Sequence, residues 1–164
     1  MKAKYSLPFK PDPVIRRCTA PSHRKDPDSM DGHCIDFSMP QHTPVLAARG
    51  GVVIHRESRW NAGFGDRKKL GTGNGVVLRH KDGEETVYWH AAWRSVKVRL
   101  GQHVRRGQIL FLSGRTGYTT YPHLHFGVYA STGKSRVPEF IGTLPPKVPY
   151  QRYEKQSKQK RSHS

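Results

Sequence analysis

The apolar residues of this chain come in short β-branched or aromatic runs, and glycine or proline stands in the segments between them. Val52-Val53-Ile54, Val76-Val77-Leu78, Val87-Tyr88-Trp89 and Ile109-Leu110-Phe111-Leu112 are the clearest of these runs. No segment sustains a 3.6-residue apolar period with caps, and residues 91–98 have room for one helical turn at most. Short strands at this spacing, with Gly-rich turns between them, predict an all-β fold of antiparallel sheets in a sandwich or barrel-like single domain. Lys81-Asp82-Gly83-Glu84 marks one hairpin, because Asp-Gly supplies the positive φ that a tight turn needs.

The flanks read differently. Residues 1–30 carry Pro8, Pro11, Pro13, Pro21 and Pro27 and show little periodicity, so an extended arm and loop is expected there. Residues 31–150 hold the strands. Residues 151–164 contain no aliphatic side chain and cannot bury enough surface to order themselves, so a disordered basic C-terminal tail is expected. Residues 56–73 form a polar, Gly-rich insertion between strands.

Charge narrows the partners. There are 29 Lys and Arg against 12 Asp and Glu, a formal net charge of +17. That excess favours an anionic partner: nucleic acid, acidic membrane or acidic cell wall. No 18-residue apolar run is present, so no membrane span is expected. The basic start, Met1 to Phe9, lacks the apolar segment of a signal peptide. Cys18 and Cys34 are too few for a disulfide framework, and either a disulfide or two buried thiols suits them.

Ten histidines are available, and most need no chemical role. His42, His55, His80, His103 and His163 fall in turns, strand ends or the tail and are expected to be solvated. His123 and His125 are different. In a strand they share one face, while Leu124 and Phe126 point into the core. An isolated His-x-His is more often two solvated side chains than a site. Here Asp36, His90 and an upstream histidine, His23 or His33, stand in the same chain. A catalytic zinc takes about three ligands from His, Asp, Glu or Cys and leaves one position open for water. The chain has no His-Glu-x-x-His, no phosphate-binding Gly-Lys loop and no Gly-x-Ser-x-Gly.

Taken in order, several segments resemble the lysostaphin-type zinc metallopeptidases, which hydrolyse peptide bonds of bacterial peptidoglycan. They are Ile35-Asp36-Phe37-Ser38-Met39-Pro40, Thr43 to Ala48, Gly73 to His80, Val87-Tyr88-Trp89-His90, Gly101 to Leu110, Ser113 to Gly117, and Pro122-His123-Leu124-His125-Phe126. The resemblance implies Zn2+ held by Asp36 and His125, with His90 and His123 as the catalytic pair beside the bound water. It also implies that the substrate is a stem or cross-link peptide, that the site of action is the cell wall, periplasmic or extracellular, and that the basic tail meets an anionic wall surface. With no visible leader, export or phage delivery would bring it there, and a monomer is expected. Trp89, Trp93 and Tyr121 either line a groove or pack; packing is favoured for Trp89.

One departure concerns the third ligand. The common family pattern has a histidine four residues before the Asp, and Gly32 occupies that position here. His33 is three residues from Asp36, an odd separation that puts the two on opposite faces of an extended chain. Ser22-His23 followed by Cys34-Ile35-Asp36-Phe37 resembles a family branch whose ligand histidine lies further upstream, so His23 is favoured and His33 is the alternative. Three rival readings stand beside this one. A catalytically inactive relative would bind peptidoglycan or activate an amidase. A basic nucleic-acid-binding β domain would explain the charge but not the His and Asp placement. A biotin- or lipoyl-carrier domain would need a lysine at its hairpin tip, and none is there.

Overall fold

Leu124, Phe126 and Val128 alternate with His123, His125 and Gly127, and this period of two sets the two faces of the molecule. The computed structural model describes residues 4–19, 31–61, 63 and 71–149, and none of the described residues is helical. The strands are β1 (Arg16–Cys18), β2 (Ile35–Ser38), β3 (Pro44–Leu46), β4 (Gly51–Glu57), β5 (Gly75–Arg79), β6 (Glu85–Trp89), β7 (His103–Val104), β8 (Ile109–Leu112), β9 (His123–Tyr129) and β10 (Ser135–Arg136). The large sheet runs β1-β2-β9-β6-β5-β4-β7, and β10 pairs with β9 beyond the end of β2. Strands β3 and β8 form a second, two-stranded sheet. All of these pairings are antiparallel.

One face of the large sheet and the small sheet share a core. Phe37, Val76, Leu78, Tyr88, Leu124, Phe126 and Val128 meet Val45, Leu110 and Phe111 there. Every residue of β9 is buried, as expected for a strand paired on both sides and covered on both faces. The segment expected as an extended arm contributes Tyr5, Phe9 and Ile15 to this core, and β1 pairs with β2. The tail at 151–164 lies outside the described residues, as does much of the Gly-rich insertion. Strand β4 continues through Arg56 and Glu57, which the sequence placed in that insertion. No described helix is long and apolar enough to cross a membrane.

The other face carries a smaller cluster of Cys34, Val77, Val87 and Tyr129, with Trp89 packed against it. Gly75 lies directly opposite Trp89. A Cβ at Gly75 would come within 2.4 Å of the Trp89 ring, so only glycine lets the indole lie across β5.

His80 corrects an expectation. It is buried rather than solvated, because the hairpin after β5 folds back on the start of β4. Its Nδ1–H donates to the Gly50 carbonyl at 2.8 Å, and its Nε2 lies 3.1 Å from the Thr86 hydroxyl. Burial pushes its pKa down, the nearby Arg49 adds to this, and the Gly50 bond, Asp82 and Glu84 oppose it. The unfolded chain therefore takes up a proton that the folded one refuses. His80 should cost stability as the pH falls below about 6.5. Denaturant midpoints between about pH 7 and about pH 5 should decline less steeply in His80→Gln. An unchanged slope would mean that His80 charges freely in the fold.

Candidate metal centre

Register brings the candidate residues together. Asp36 lies opposite His125, and His125 lies opposite Trp89 on the far side. These three side chains form a row across β2, β9 and β6 on the face away from the core. His123 lies one pleat along β9 on the same face.

His90 reaches this face by a different route. In a regular strand it would point opposite to Trp89, into the core. Its backbone instead takes φ 72°, in the left-handed region, which costs a non-glycine residue on the order of 1 kcal/mol. The conformation is held on both sides. The Gly114 amide donates to the His90 carbonyl at 2.8 Å, and the Ala91 amide donates to Asn74 at 3.0 Å. The ring then stands 4.5 Å from His123 and 6.1 Å from His125, centroid to centroid.

Each ring has a fixed orientation. His90 Nδ1–H donates to the Thr116 carbonyl at 2.7 Å. His123 Nδ1–H donates to the Tyr121 carbonyl at 2.9 Å. In both rings this leaves Nε2 as the unprotonated nitrogen. His123 Nε2 is 3.7 Å from Asp36 Oδ1, and His125 Nδ1 is 3.1 Å from the same oxygen. Burial drives the His90 pKa well below its ordinary value, and the neighbouring His123 and His125 add to this. Burial also lowers that of His123, with Asp36 opposing. Burial works against charge on His125 as well, but its bond to Asp36 and the adjacent Cys34 hold its pKa well above the usual range. The result is two neutral imidazoles beside an imidazole–carboxylate pair that attracts positive charge.

The cluster opens into a groove of about 530 Å³. Its floor is Asp36, His90, His123 and His125, and its walls include His55, Glu57, Arg59, Trp60, Trp89 and Tyr118 to Thr120. His55, expected to be solvated, is exposed and stands edge-on to Trp89 at 5.5 Å. Trp89 both packs and lines the groove. Tyr121 is buried beneath His123, with ring centroids 4.4 Å apart and its hydroxyl 3.1 Å from Cys18 Sγ. Trp93 is exposed, stacked under Arg94, and is not among the groove's lining residues.

The two candidates for a further ligand fare differently. His23 lies outside the described residues. His33 Nδ1 is 3.2 Å from both the Ser135 carbonyl and its hydroxyl, and the ring lines a separate hollow with Arg17, Cys18 and Cys34. Cys18 and Cys34 are both buried thiols, not bonded to each other. The sequence reading missed Asp31, which lines the groove with its carboxylate 3.9 Å from His125 Nε2. Its place before Gly32 suggests only a turn. The reading also missed Thr116, whose carbonyl fixes His90.

Comparison with known proteins points to one family. The chain is 40% identical over 91 residues to the peptidoglycan DD-endopeptidase ShyA of Vibrio cholerae, covering 56% of this chain and 18% of that protein. It is 37% identical over 92 residues to lysostaphin of Staphylococcus simulans, covering 56% of this chain and 17% of that protein. The chain thus spans less than a fifth of these curated relatives. A solved zinc-containing peptidase from Vibrio cholerae superposes with a TM-score of 0.59 at 28% identity, over 87% of this chain and 41% of that one. The model of peptidase family M23 matches residues 31–138, and the chain belongs to that family.

Proposed function

We propose that this chain is a zinc-dependent endopeptidase that hydrolyses peptide bonds of bacterial peptidoglycan, in stem peptides or their cross-links. One observation carries the reading: Asp36, His90, His123 and His125 converge in a single groove. The names of ShyA and lysostaphin and the zinc in the Vibrio peptidase support it. We assign the activity to residues 31–150, with 1–30 and 151–164 as flanking arm and tail. A monomer acting at the cell wall, in the periplasm or outside the cell, fits this substrate.

The donor set suits zinc. Asp36 Oδ1 and His125 Nδ1 are 3.1 Å apart, close to the ~3.3 Å between two ligands about 2 Å from a tetrahedral ion. Asp36 and His125 would hold the ion together with an upstream histidine, and the engagement of His33 with Ser135 supports His23 in that role. Bound zinc supplies Lewis acidity at the scissile carbonyl and lowers the pKa of a water toward ~7. The remaining steps belong to the chain's own residues. His90 and His123 hold their Nδ1 protons against carbonyl oxygens, so neither ring rotates and each keeps Nε2 for the substrate side. From there one imidazole takes a proton from the attacking water and returns it to the departing amine. The other would take a proton from bulk water as negative charge develops and then donate that Nε2–H to the tetrahedral centre. The test is digestion of purified sacculi by the zinc-loaded protein, with mass spectrometry of the released muropeptides. New amino termini within peptides support the reading, and intact sacculi with bound zinc would refute it.

Charge supports a second contact with the wall. Between Glu85 and Glu139 there is no acidic residue but eight Lys and Arg, and the tail is basic as well. Deleting residues 151–164 should weaken binding to sacculi, most strongly at low salt where the screening length is long. Cleavage of a short soluble peptide should barely change. Equal loss of binding and peptide cleavage would instead make the tail part of the folded unit.

A further inference from the structure

His125 has a carboxylate near each ring nitrogen. Nδ1 faces Asp36 Oδ1 at 3.1 Å, the oxygen that also lies 3.7 Å from His123 Nε2. Nε2 faces the other way, toward Asp31 Oδ1 at 3.9 Å. Asp31, Cys34 and His125 bring their polar atoms within 4.8 Å of one another. Asp31 reaches this side through two bonds of its own. The Tyr129 hydroxyl donates to its Oδ1 at 2.9 Å, and the Cys34 amide donates to its carbonyl at 3.0 Å. Cys34 Sγ lies 3.3 Å from the same Tyr129 hydroxyl.

An imidazole binds one metal ion through one nitrogen, and the lone-pair directions of its two nitrogens diverge. A carboxylate on the Nε2 side therefore cannot share an ion held by Nδ1 and Asp36. It can accept the proton that Nε2 must then carry. Ligand histidines are commonly held this way by a carboxylate or carbonyl, which fixes the tautomer and makes the ligating nitrogen more basic. A shift of about 1 Å in the half-exposed Asp31 side chain brings it within hydrogen-bond range.

We propose that Asp31 is a positioning residue that accepts the Nε2–H of His125 and so keeps Nδ1 open toward Asp36 and the metal. This rests on the metal-centre reading above. It concerns the position just before Gly32, where this chain departs from the common family pattern.

The experiment is zinc affinity by chelator competition in the full chain, with thermal unfolding as a check on folding. Asp31→Ala should fold and bind zinc about 10- to 100-fold more weakly. Asp31→Asn keeps an acceptor without the charge and should fall between it and wild type. Asp31→Glu should recover most of the affinity. Cys34→Ser should leave zinc affinity within a few-fold of wild type. The proposal is overturned if folded Asp31→Ala binds zinc as tightly as wild type. It is also overturned if Cys34→Ser loses zinc while the cobalt-substituted wild type shows a thiolate charge-transfer band, since the ion would then sit on the Nε2 side with Asp31 and Cys34 as ligands. A wild-type chain that binds no zinc would instead refute the metal-centre reading itself.

Discussion

His125→Ala should lose zinc and turnover together, whereas His123→Ala should keep most of its zinc and lose turnover by about 100-fold or more. The two residues are two positions apart on the same face of β9, so simple proximity does not separate their roles. Their hydrogen bonds do. His123 has its Nδ1–H engaged by the Tyr121 carbonyl, and its Nε2 is 3.7 Å from Asp36. His125 sets Nδ1 against Asp36 Oδ1 at 3.1 Å, a separation at which the carboxylate and imidazole would serve as two donors to one ion. Removing His125 takes away one of those donors. Removing His123 takes away a proton acceptor and leaves the donors in place. Metal analysis of the purified variants, alongside kcat/KM on a soluble peptide, distinguishes the two outcomes. Equal zinc loss in both would mean that the roles are wrongly divided.

The second large effect is expected upstream. His23→Ala should abolish tight zinc binding, while His33→Ala should retain it and lose roughly 1 kcal/mol of stability at most, the worth of one ordinary hydrogen bond. His33 engages Ser135 at the start of β10, on a hollow separate from the groove. Its loss therefore loosens the β9–β10 edge and leaves the groove floor untouched. Zinc stoichiometry of the folded variants decides the matter. Full zinc in His23→Ala with loss in His33→Ala would reverse the assignment. The Asp31 variants would add a graded reference, since loss of an outer carboxylate weakens metal binding without removing a ligand.

Local periodicity made much of this protein legible. Alternation of polar and apolar residues along His123-Leu124-His125-Phe126 sets both histidines on one face and two large side chains in the core, and the structure has that arrangement. The absence of any helical period gave the all-β class. Asp82-Gly83 gave a hairpin whose Gly83 takes φ 85°. These features depend on neighbours within a few residues, which is why they can be read from the chain alone.

Cross-strand register cannot be read that way. Asp36 meets His125 across 89 positions of sequence because β2 pairs with β9, and a one-residue slip would turn the carboxylate to the core. The left-handed backbone at His90 is a tertiary product too, since bonds from Gly114 and Thr116 stabilise a conformation that the local sequence disfavours. His80 looks like a polar strand end until the Gly50 carbonyl closes over it. Asp31 looks like a turn residue until Tyr129, nearly a hundred residues away, brings it behind His125. The sequence by itself determined which residues can form strands and which side chains share a face, because both follow from a two-residue repeat. Only the tertiary structure decided which faces meet, which ring nitrogen looks into the groove and which carboxylate stands behind it, because those depend on pairing between distant strands.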